Sequence, residues 1–363
     1  MKKNNQVLDL SNISRRFDKK TAVKKLNLTL SSGQVTCLLG ASGCGKSTTL
    51  RIAAGVEKQD KGEVRIAGKL ISDGKFLHLP PESRSVGLMF QDFALFPHLS
   101  ILENVIYGIK SEGSLNEVRR RGMLLLERVS LSNSYSKYPH MLSGGEQQRV
   151  ALVRAIAPKP KVLLMDEPFS GLDNRLRDEI RDQTLILLKE EKTAVLLVTH
   201  EPAEAMRMAD SIALMDNGII LQEAAPYNIY NKPVDHRVAS FFSDVNILKG
   251  IVRESRIDTS FGFFITTGIE EGSTVQILIR PQHLKIDFDR NGKGPYPTTE
   301  DGVPARGMVT RARFMGNESL IELRMEADET LLKATVPGVF LPTKDTYLWL
   351  SMRRDRCFVF KIK

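Results

Sequence analysis

Cysteine is scarce in this chain. The three present among 363 residues, Cys37, Cys44 and Cys357, share no paired spacing, which excludes a disulfide framework and a zinc knuckle and fits a reducing cytoplasm. Long apolar runs are missing too, since none approaches the roughly 18 to 20 residues that a membrane span needs. The opening MKKNNQVLDL has two lysines but no apolar stretch behind them, so neither export nor membrane crossing is expected of the chain alone. No segment repeats at a solenoid period. The composition does not suggest disorder, because 42% apolar and 26% charged residues are ordinary for a globular protein.

What is present is length enough for two or three domains, each burying its own interior. The net charge of +9 is compatible with an acidic partner, either nucleic acid or an anionic membrane surface. Acidic and basic residues are mixed throughout, however, so a solvated basic surface also accounts for it. The first 36 residues alternate like short strands, VLDLSNI and then AVKKLNLTL, broken by Ser31–Gly33. Three nearly continuous apolar runs follow: VTCLLG from Val35, KVLLMDE from Lys161 and AVLLVTH from Ala194. Such runs separated by helical stretches predict a mostly parallel sheet with helical crossovers. Between Phe93 and Ile156 the pattern turns helical and predicts an inserted lobe. After Asn231–Pro233, pieces such as GFFITT, TVQILIRP, LIELRM and CFVFKI predict a small all-β domain from about Val245, with Asn291–Gly302 a loop within it.

In parallel sheets ligands gather at the carboxyl ends of the strands, and all three runs end in chemically useful residues. GASGCGKS, Gly40 to Ser47, matches G-x-x-x-x-G-K-[ST] after a strand and at the start of a helix. Gly43 and Gly45 let backbone N–H groups close around a β-phosphate, Lys46 reaches the β and γ oxygens, and the Ser47 hydroxyl ligates Mg²⁺. Asp166 ends the second run and holds the magnesium through its water shell. Glu167, one residue on, is placed to take a proton from attacking water. His200 ends the third run where the γ-phosphate would lie; a lone histidine is more often structural, but this position favours a functional one. MLSGGEQQR, Met141 to Arg149, sets two glycines and a serine at a helix start, which makes a second anion site from backbone N–H groups.

Together, GASGCGKST, Gln91 in MFQD, LSGGEQQR, VLLMDEP, SGLD from Ser170 and VTH from Val198 resemble the nucleotide-binding subunit of an ATP-binding cassette (ABC) transporter, in the family's order and over about two-thirds of the chain. The resemblance implies an α/β fold with a P-loop ATPase core, an antiparallel β subdomain and a helical subdomain at about 93–156, all within residues 1–240. A small all-β, OB-like (TOBE-type) domain follows at 245–363. It implies ATP held by Gly40, Ala41, Ser42, Gly43, Cys44, Gly45, Lys46, Ser47 and Thr48. It further implies metal contacts from Ser47, Gln91 and Asp166, and catalysis by Glu167, His200 and Gln91. Phe17 falls where the family places an aromatic that stacks on adenine, with a buried core phenylalanine as the alternative.

In this family two copies dimerise head to tail. That implies that Ser143, Gly144, Gly145 and Glu146 meet the partner's nucleotide and that Asp173 touches the opposing site. It also explains why one chain carries two phosphate loops. Glu146, Gly171 and the THEPAEAM segment depart from commoner residues without removing a phosphate or metal contact.

A single cassette without a membrane span resembles the detachable ATPase of a bacterial importer, peripheral on the cytoplasmic face of the inner membrane. Two transmembrane permease subunits and, indirectly, a periplasmic solute-binding protein are then the expected partners. The permeases would dock near Gln91 and FALFPHLSILENV, a segment that core packing also explains. The stretch Leu79–Ser100 is most similar to iron(III) importers, with polyamine importers the alternative. A non-transport ABC ATPase acting on nucleic acid is a lesser alternative; long heptads, zinc inserts and interleaved aromatics are all lacking, so no nucleic-acid partner is expected.

Overall fold

The computed structural model describes residues 6–18, 20–109, 114–170, 174–266, 268–288 and 293–362, with the side chains of 174–176 and 179 left out. The chain divides into two compact units, Met1–Ile229 and Tyr230–Lys363.

In the first unit the alternating N-terminal segments pair as a long hairpin, β1 (Gln6–Phe17) and β2 (Lys20–Ser31), rather than as separate short strands. Register shifts along β1 bend it, and its alternate residues Leu8 and Leu10 are fully buried. The run Val35–Leu39 forms β3, buried at every position, and leads through the glycine-rich loop into α1 (Lys46–Ala54). β4 (Lys61–Ile66) and β5 (Lys69–Ser72) complete an antiparallel sheet in the order β2-β1-β4-β5. Its apolar face meets α1 and the inner strands of the second sheet in one core.

That second sheet draws on β6 (Val86–Met89), β7 (Val162–Asp166), β8 (Ala194–Thr199), β9 (Ser211–Asp216) and β10 (Ile219–Ala224) in addition to β3, in the order β10-β9-β3-β8-β7-β6. Every pairing in it is parallel except β9 with β10. Periodicity predicts β3, β7 and β8 but misses the other three. β6 has only four residues and β10 is half exposed, so neither carries a continuous apolar signal.

Between β6 and β7 lie α2 (Ile101–Ile106), α3 (Leu115–Arg128) and α4 (Gly144–Ile156). Residues 93–100 are not helical. Phe93 and Ala94 have positive φ, and Ser100 caps α2 through a reciprocal capping box with Glu103. This segment is pinned by polar groups: Arg154 donates to the carbonyls of Phe93 and Ala94, both at 2.7 Å, and fully buried Asn104 bridges Phe96, Leu99 and Ser100. After β7 come α5 (Asn174–Glu191) and, beyond β8, α6 (Pro202–Met208).

The second unit is mostly β. β11 (Asn246–Ile251) pairs with β14 (Thr274–Ile279), which pairs with β20 (Phe358–Lys361), and β12 (Arg256–Thr259) pairs with β13 (Gly262–Ile265). A five-stranded antiparallel sheet has β15 (Leu284–Phe288), β19 (Tyr347–Met352), β16 (Ala305–Phe314), β17 (Glu318–Met325) and β18 (Leu331–Pro337) in that order. Together these strands enclose a single apolar cluster. The expected all-β domain is present, and the described part of the Asn291–Gly302 segment, residues 293–302, holds no strand.

One buried cation ties the first unit together. Arg84 is 2% exposed, and its guanidinium donates to Ile52 O at 2.8 Å, Ala53 O at 3.2 Å and Leu79 O at 2.7 Å. It thereby takes up the Ala53 carbonyl at the end of α1 and shares the Ile52 carbonyl with the Gly55 N–H, while burial pushes its pKa down to about 10. Replacing Arg84 with methionine keeps the bulk and takes this donor from the Ala53 and Leu79 carbonyls, so the expected loss is about 2 to 4 kcal/mol of unfolding free energy, read from urea denaturation.

Candidate active site

Sheet register alone gathers the predicted residues. Leu39 pairs with Thr199, Val198 with Asp166, and Met89 with Met165. The chain therefore leaves β3, β8, β7 and β6 at the same edge, and the next residues include Gly40, His200, Glu167 and Gln91. Gln91 lies two residues past Met89, as Glu167 lies two past Met165, and its side chain is exposed.

The glycine-rich loop is wedged against its neighbours. A Cβ on Gly45, where φ is 112°, would stand 2.2 Å from Ala22 O, and one on Gly40 would stand 2.3 Å from Met215 O. Only glycine fits at either place. Lys46 is 5% exposed, and its ammonium donates to Gly40 O at 2.8 Å and Ala41 O at 2.9 Å, closing the loop over its own side chain. Cys44 is buried, its N–H donates to Ala41 O at 3.3 Å and its carbonyl accepts from Gly218 N. Burial raises its thiol pKa, so this cysteine serves through its backbone. Gly45 caps α1, which starts at Lys46 and carries Ser47 and Thr48 in its first turn.

The Ser47 hydroxyl donates to Asp166 Oδ1 at 3.0 Å. Burial raises the Asp166 pKa against the opposing effect of that hydroxyl. A hydroxyl and a carboxylate in a desolvated corner fit a hard, oxygen-seeking cation such as Mg²⁺, which keeps waters and takes few protein ligands. Among the described residues no group of three or more acidic, histidine or cysteine side chains forms a closed metal cage, so the remaining positions would fall to water and substrate.

Glu167 turns out of the strand. Its φ is 46° and its N–H donates to Val198 O at 2.9 Å, so the backbone is held in a left-handed turn. Glu167 Oε1 hydrogen-bonds His200 Nδ1 at 3.0 Å. His200 is exposed at the sheet edge, as expected of a group that meets a ligand.

Thr199, Glu201 and Glu204, which the sequence marks only as part of VTH and THEPAEAM, and two residues it does not single out, Arg177 and Arg181, hold the chain on either side of His200. Arg177 meets Glu201 at 2.7 Å and Arg181 meets it at 2.8 Å. Thr199 donates to Glu204 at 2.8 Å and accepts from the Glu201 N–H at 3.0 Å. Both chain neighbours of His200 are thus tied down, and burial raises the Glu204 pKa despite its Thr199 and Arg181 partners. The signal was available in principle, as Arg177 and Arg181 share a helix face four residues apart and Glu201 and Glu204 lie three apart.

Ser143 caps α4 in a full capping box. Its N–H and its hydroxyl donate to Glu146 Oε2 at 2.9 and 2.7 Å. The Ser143 N–H and then its hydroxyl hold the Glu146 pKa below the usual carboxylate value. Ser143 and Gly144 are exposed, while Gly145 is buried. Among the described residues no hydrogen bond or ion pair joins this segment to the phosphate loop of the same chain. Phe17 is 42% exposed, which rules out the core role, and the Arg15 guanidinium lies 4.6 Å from its ring centre. Asp173 and Gly171 lie outside the described residues.

The chain matches the family model described as ABC transporter over residues 23–170 and the TOBE domain over residues 277–360. It is 41% identical over 330 residues to the Fe(3+) ions import ATP-binding protein FbpC of Escherichia coli O157:H7, covering 90% of each chain. It is 38% identical over 287 residues to the spermidine/putrescine import ATP-binding protein PotA of Acetivibrio thermocellus, covering 78% of this chain and 80% of that one. Among solved structures, the dimeric post-hydrolysis state of the ATP-binding cassette MJ0796 bound to ADP and Pi matches at a TM-score of 0.53 and 30% identity, over 60% of this chain and 98% of that chain.

The buried Asp166 carboxylate opposes stability. Its folded pKa is raised, so the penalty is present at neutral pH and is relieved as pH falls through that folded value. Asp166→Asn keeps the acceptor for Ser47 and removes the charge. In chelator-treated, nucleotide-free solution it is expected to melt a few degrees above the parent protein while losing magnesium-dependent hydrolysis. Thermal unfolding at pH 7 beside a phosphate-release assay checks both.

Proposed function

The chain belongs to the family of ABC importer ATPases that carry a TOBE domain, and from that premise we propose that it powers the uptake of Fe(3+) ions. The observation that carries the catalytic part of this reading is the shared strand edge, where Ser47 meets Asp166 and Glu167 meets His200. The phosphate loop takes the nucleotide's anionic tail, and Lys46 exchanges loop carbonyls for phosphate oxygens. Ser47 and Asp166 hold the magnesium, with Gln91 at the same edge; when bound, the ion supplies charge neutralisation on the phosphates. Glu167 Oε2 is left to accept a proton from water, since Oε1 is on His200, and His200 steadies the γ-phosphate.

Two copies close head to tail, each Ser143–Glu146 segment meeting the other's nucleotide and Asp173 lying near the opposing site. A relative whose structure is dimeric and bound to ADP and Pi supports the pairing of two copies. No described helix is long and apolar enough to cross a membrane. Two permease subunits therefore supply the path, the ATPase sits peripherally on the cytoplasmic face of the inner membrane, and a periplasmic binding protein delivers the solute. A cavity of 1060 Å³ between Pro81–Val86 and the Tyr107, Gly108 and Arg121 side of the helical lobe suits a short permease helix. Gln91 does not line this cavity.

Iron(III) is supported by the relative that matches over 90% of both chains at 41% identity. Polyamine import is the second reading, favoured by several relatives of that name at 35 to 38% identity. Uptake of labelled iron(III) and labelled putrescine in cells with the intact, deleted and Glu167→Gln forms decides between them. Loss of iron uptake alone is expected, and loss of putrescine uptake alone would replace the solute while keeping the mechanism.

The roles separate in vitro. Glu167→Gln is expected to lower turnover by roughly 10²- to 10⁴-fold while sparing ATP binding, whereas Lys46→Ala weakens binding itself. Equal loss of nucleotide affinity in the two variants, by titration calorimetry, would overturn the assignment.

A further inference from the structure

We propose that Lys20 is a second phosphate-reading cation of the nucleotide site, meeting the phosphate nearest the ribose. The inference rests on reading Gly40–Ser47 as the nucleotide's phosphate cradle and adds a residue to it.

The β1–β2 hairpin ends in the cross-strand pair Phe17 and Lys20, so an exposed aromatic and a cation leave the sheet side by side. The tip is held firmly. Arg15, whose guanidinium faces the Phe17 ring, is paired with Glu57 at 2.6 Å and Asp60 at 2.7 Å. Asp60 also accepts from the Arg16 N–H at 2.7 Å, and its own N–H donates to Ser14 O at 2.9 Å. A β1 end tied down in this way costs less ordering when a base arrives at Phe17.

From there Lys20 leans toward the loop. Its ammonium nitrogen lies 4.0 Å from the point where Gly43 would carry a Cβ. A cavity of 340 Å³ opens between them, lined by Lys20, Thr21 and Ala22 from the hairpin, Gly43 and Cys44 from the loop, and Gly218. Lys24 and Asn217 also border it, and no carboxylate is among its described lining residues. Lys46, by contrast, points inward to the carbonyls of Gly40 and Ala41. Two lysines against the one carboxylate that acts on Cys44, Asp216, leave the cavity in a positive field, and Lys20 connects it to the Phe17 end of the hairpin. A nucleotide with its base at Phe17 and its terminal phosphates at Lys46 must cross that space with its first phosphate, and Lys20 is the cation beside Gly43 there. An ammonium suits this role as a mobile point charge that needs no fixed geometry.

The test is calorimetric binding of MgATP and MgADP by full-length protein at low and high salt, using Lys20→Gln, Lys20→Arg and Lys46→Ala. Lys20 is exposed, so Lys20→Gln should keep the parent melting temperature. It is expected to lose roughly five- to tenfold in affinity for both nucleotides alike at low salt, a difference that shrinks at high salt, while Lys20→Arg retains most of it. An affinity for Lys20→Gln within about twofold of the parent at low salt would overturn the proposal, as would a loss that salt leaves unchanged or one confined to MgATP. If Lys46→Ala instead binds MgATP like the parent, the phosphate-cradle reading itself fails and Lys20 falls with it. A normal Lys20→Gln beside a crippled Lys46→Ala sinks Lys20 alone.

Discussion

The hydrogen bond from Ser47 to Asp166 joins residues 119 positions apart, and the catalytic layout depends on the register that makes it possible. Ser47 opens α1 after β3, and Asp166 closes β7, with β8 between them. A slip in either parallel ladder would move Asp166 along its strand and take its carboxylate away from Ser47. The five residues of β7 and the six of β8 are buried throughout, so both faces of those strands fix that register. Burial of Asp166 then creates its need for a cation. The apolar sheet that positions the carboxylate also makes an unpaired charge there costly.

His200 shows a different solution to the same problem. It stands exposed at the end of a buried strand, yet its neighbours Thr199 and Glu201 are fixed by Arg181, Arg177 and Glu204 from two helices. Arg181 is 5% and Glu204 3% exposed. Arg181 is held by Glu201 at 2.8 Å and faces Glu204 at 3.5 Å, so removing either acid would leave a buried guanidinium less compensated. The network links α5 to the chain on either side of the histidine, so an exposed side chain is borne on a tied-down backbone.

The phosphate loop, the acidic strand end, the histidine and the signature serine were legible because each sits where a local pattern changes: an apolar run stops and a polar or glycine residue follows. The all-β second unit was legible from its short alternating pieces. Other features were not. The strand Val86–Met89 is too short to announce itself, yet it delivers Gln91 to the common edge. Arg181 in α5 and Arg84 in a polar stretch give no local signal of burial, although both are buried. Hydropathy cannot distinguish a charge in water from one buried among carbonyls or carboxylates that lie far away in the chain. Lys20 likewise has no local signal, since its meaning comes from a loop more than twenty residues on.

The sequence by itself determined the chemistry: a glycine-lysine-serine cradle, a carboxylate pair, a strand-end histidine and a helix start able to bind anions, because each depends on residue type and near-neighbour spacing. The tertiary structure alone decided which of these groups meet. Ser47 reaches Asp166, Glu167 reaches His200, and Ser143 is left with its own Glu146, because parallel strand pairing is non-local and its register is fixed by burial on both faces of the sheet.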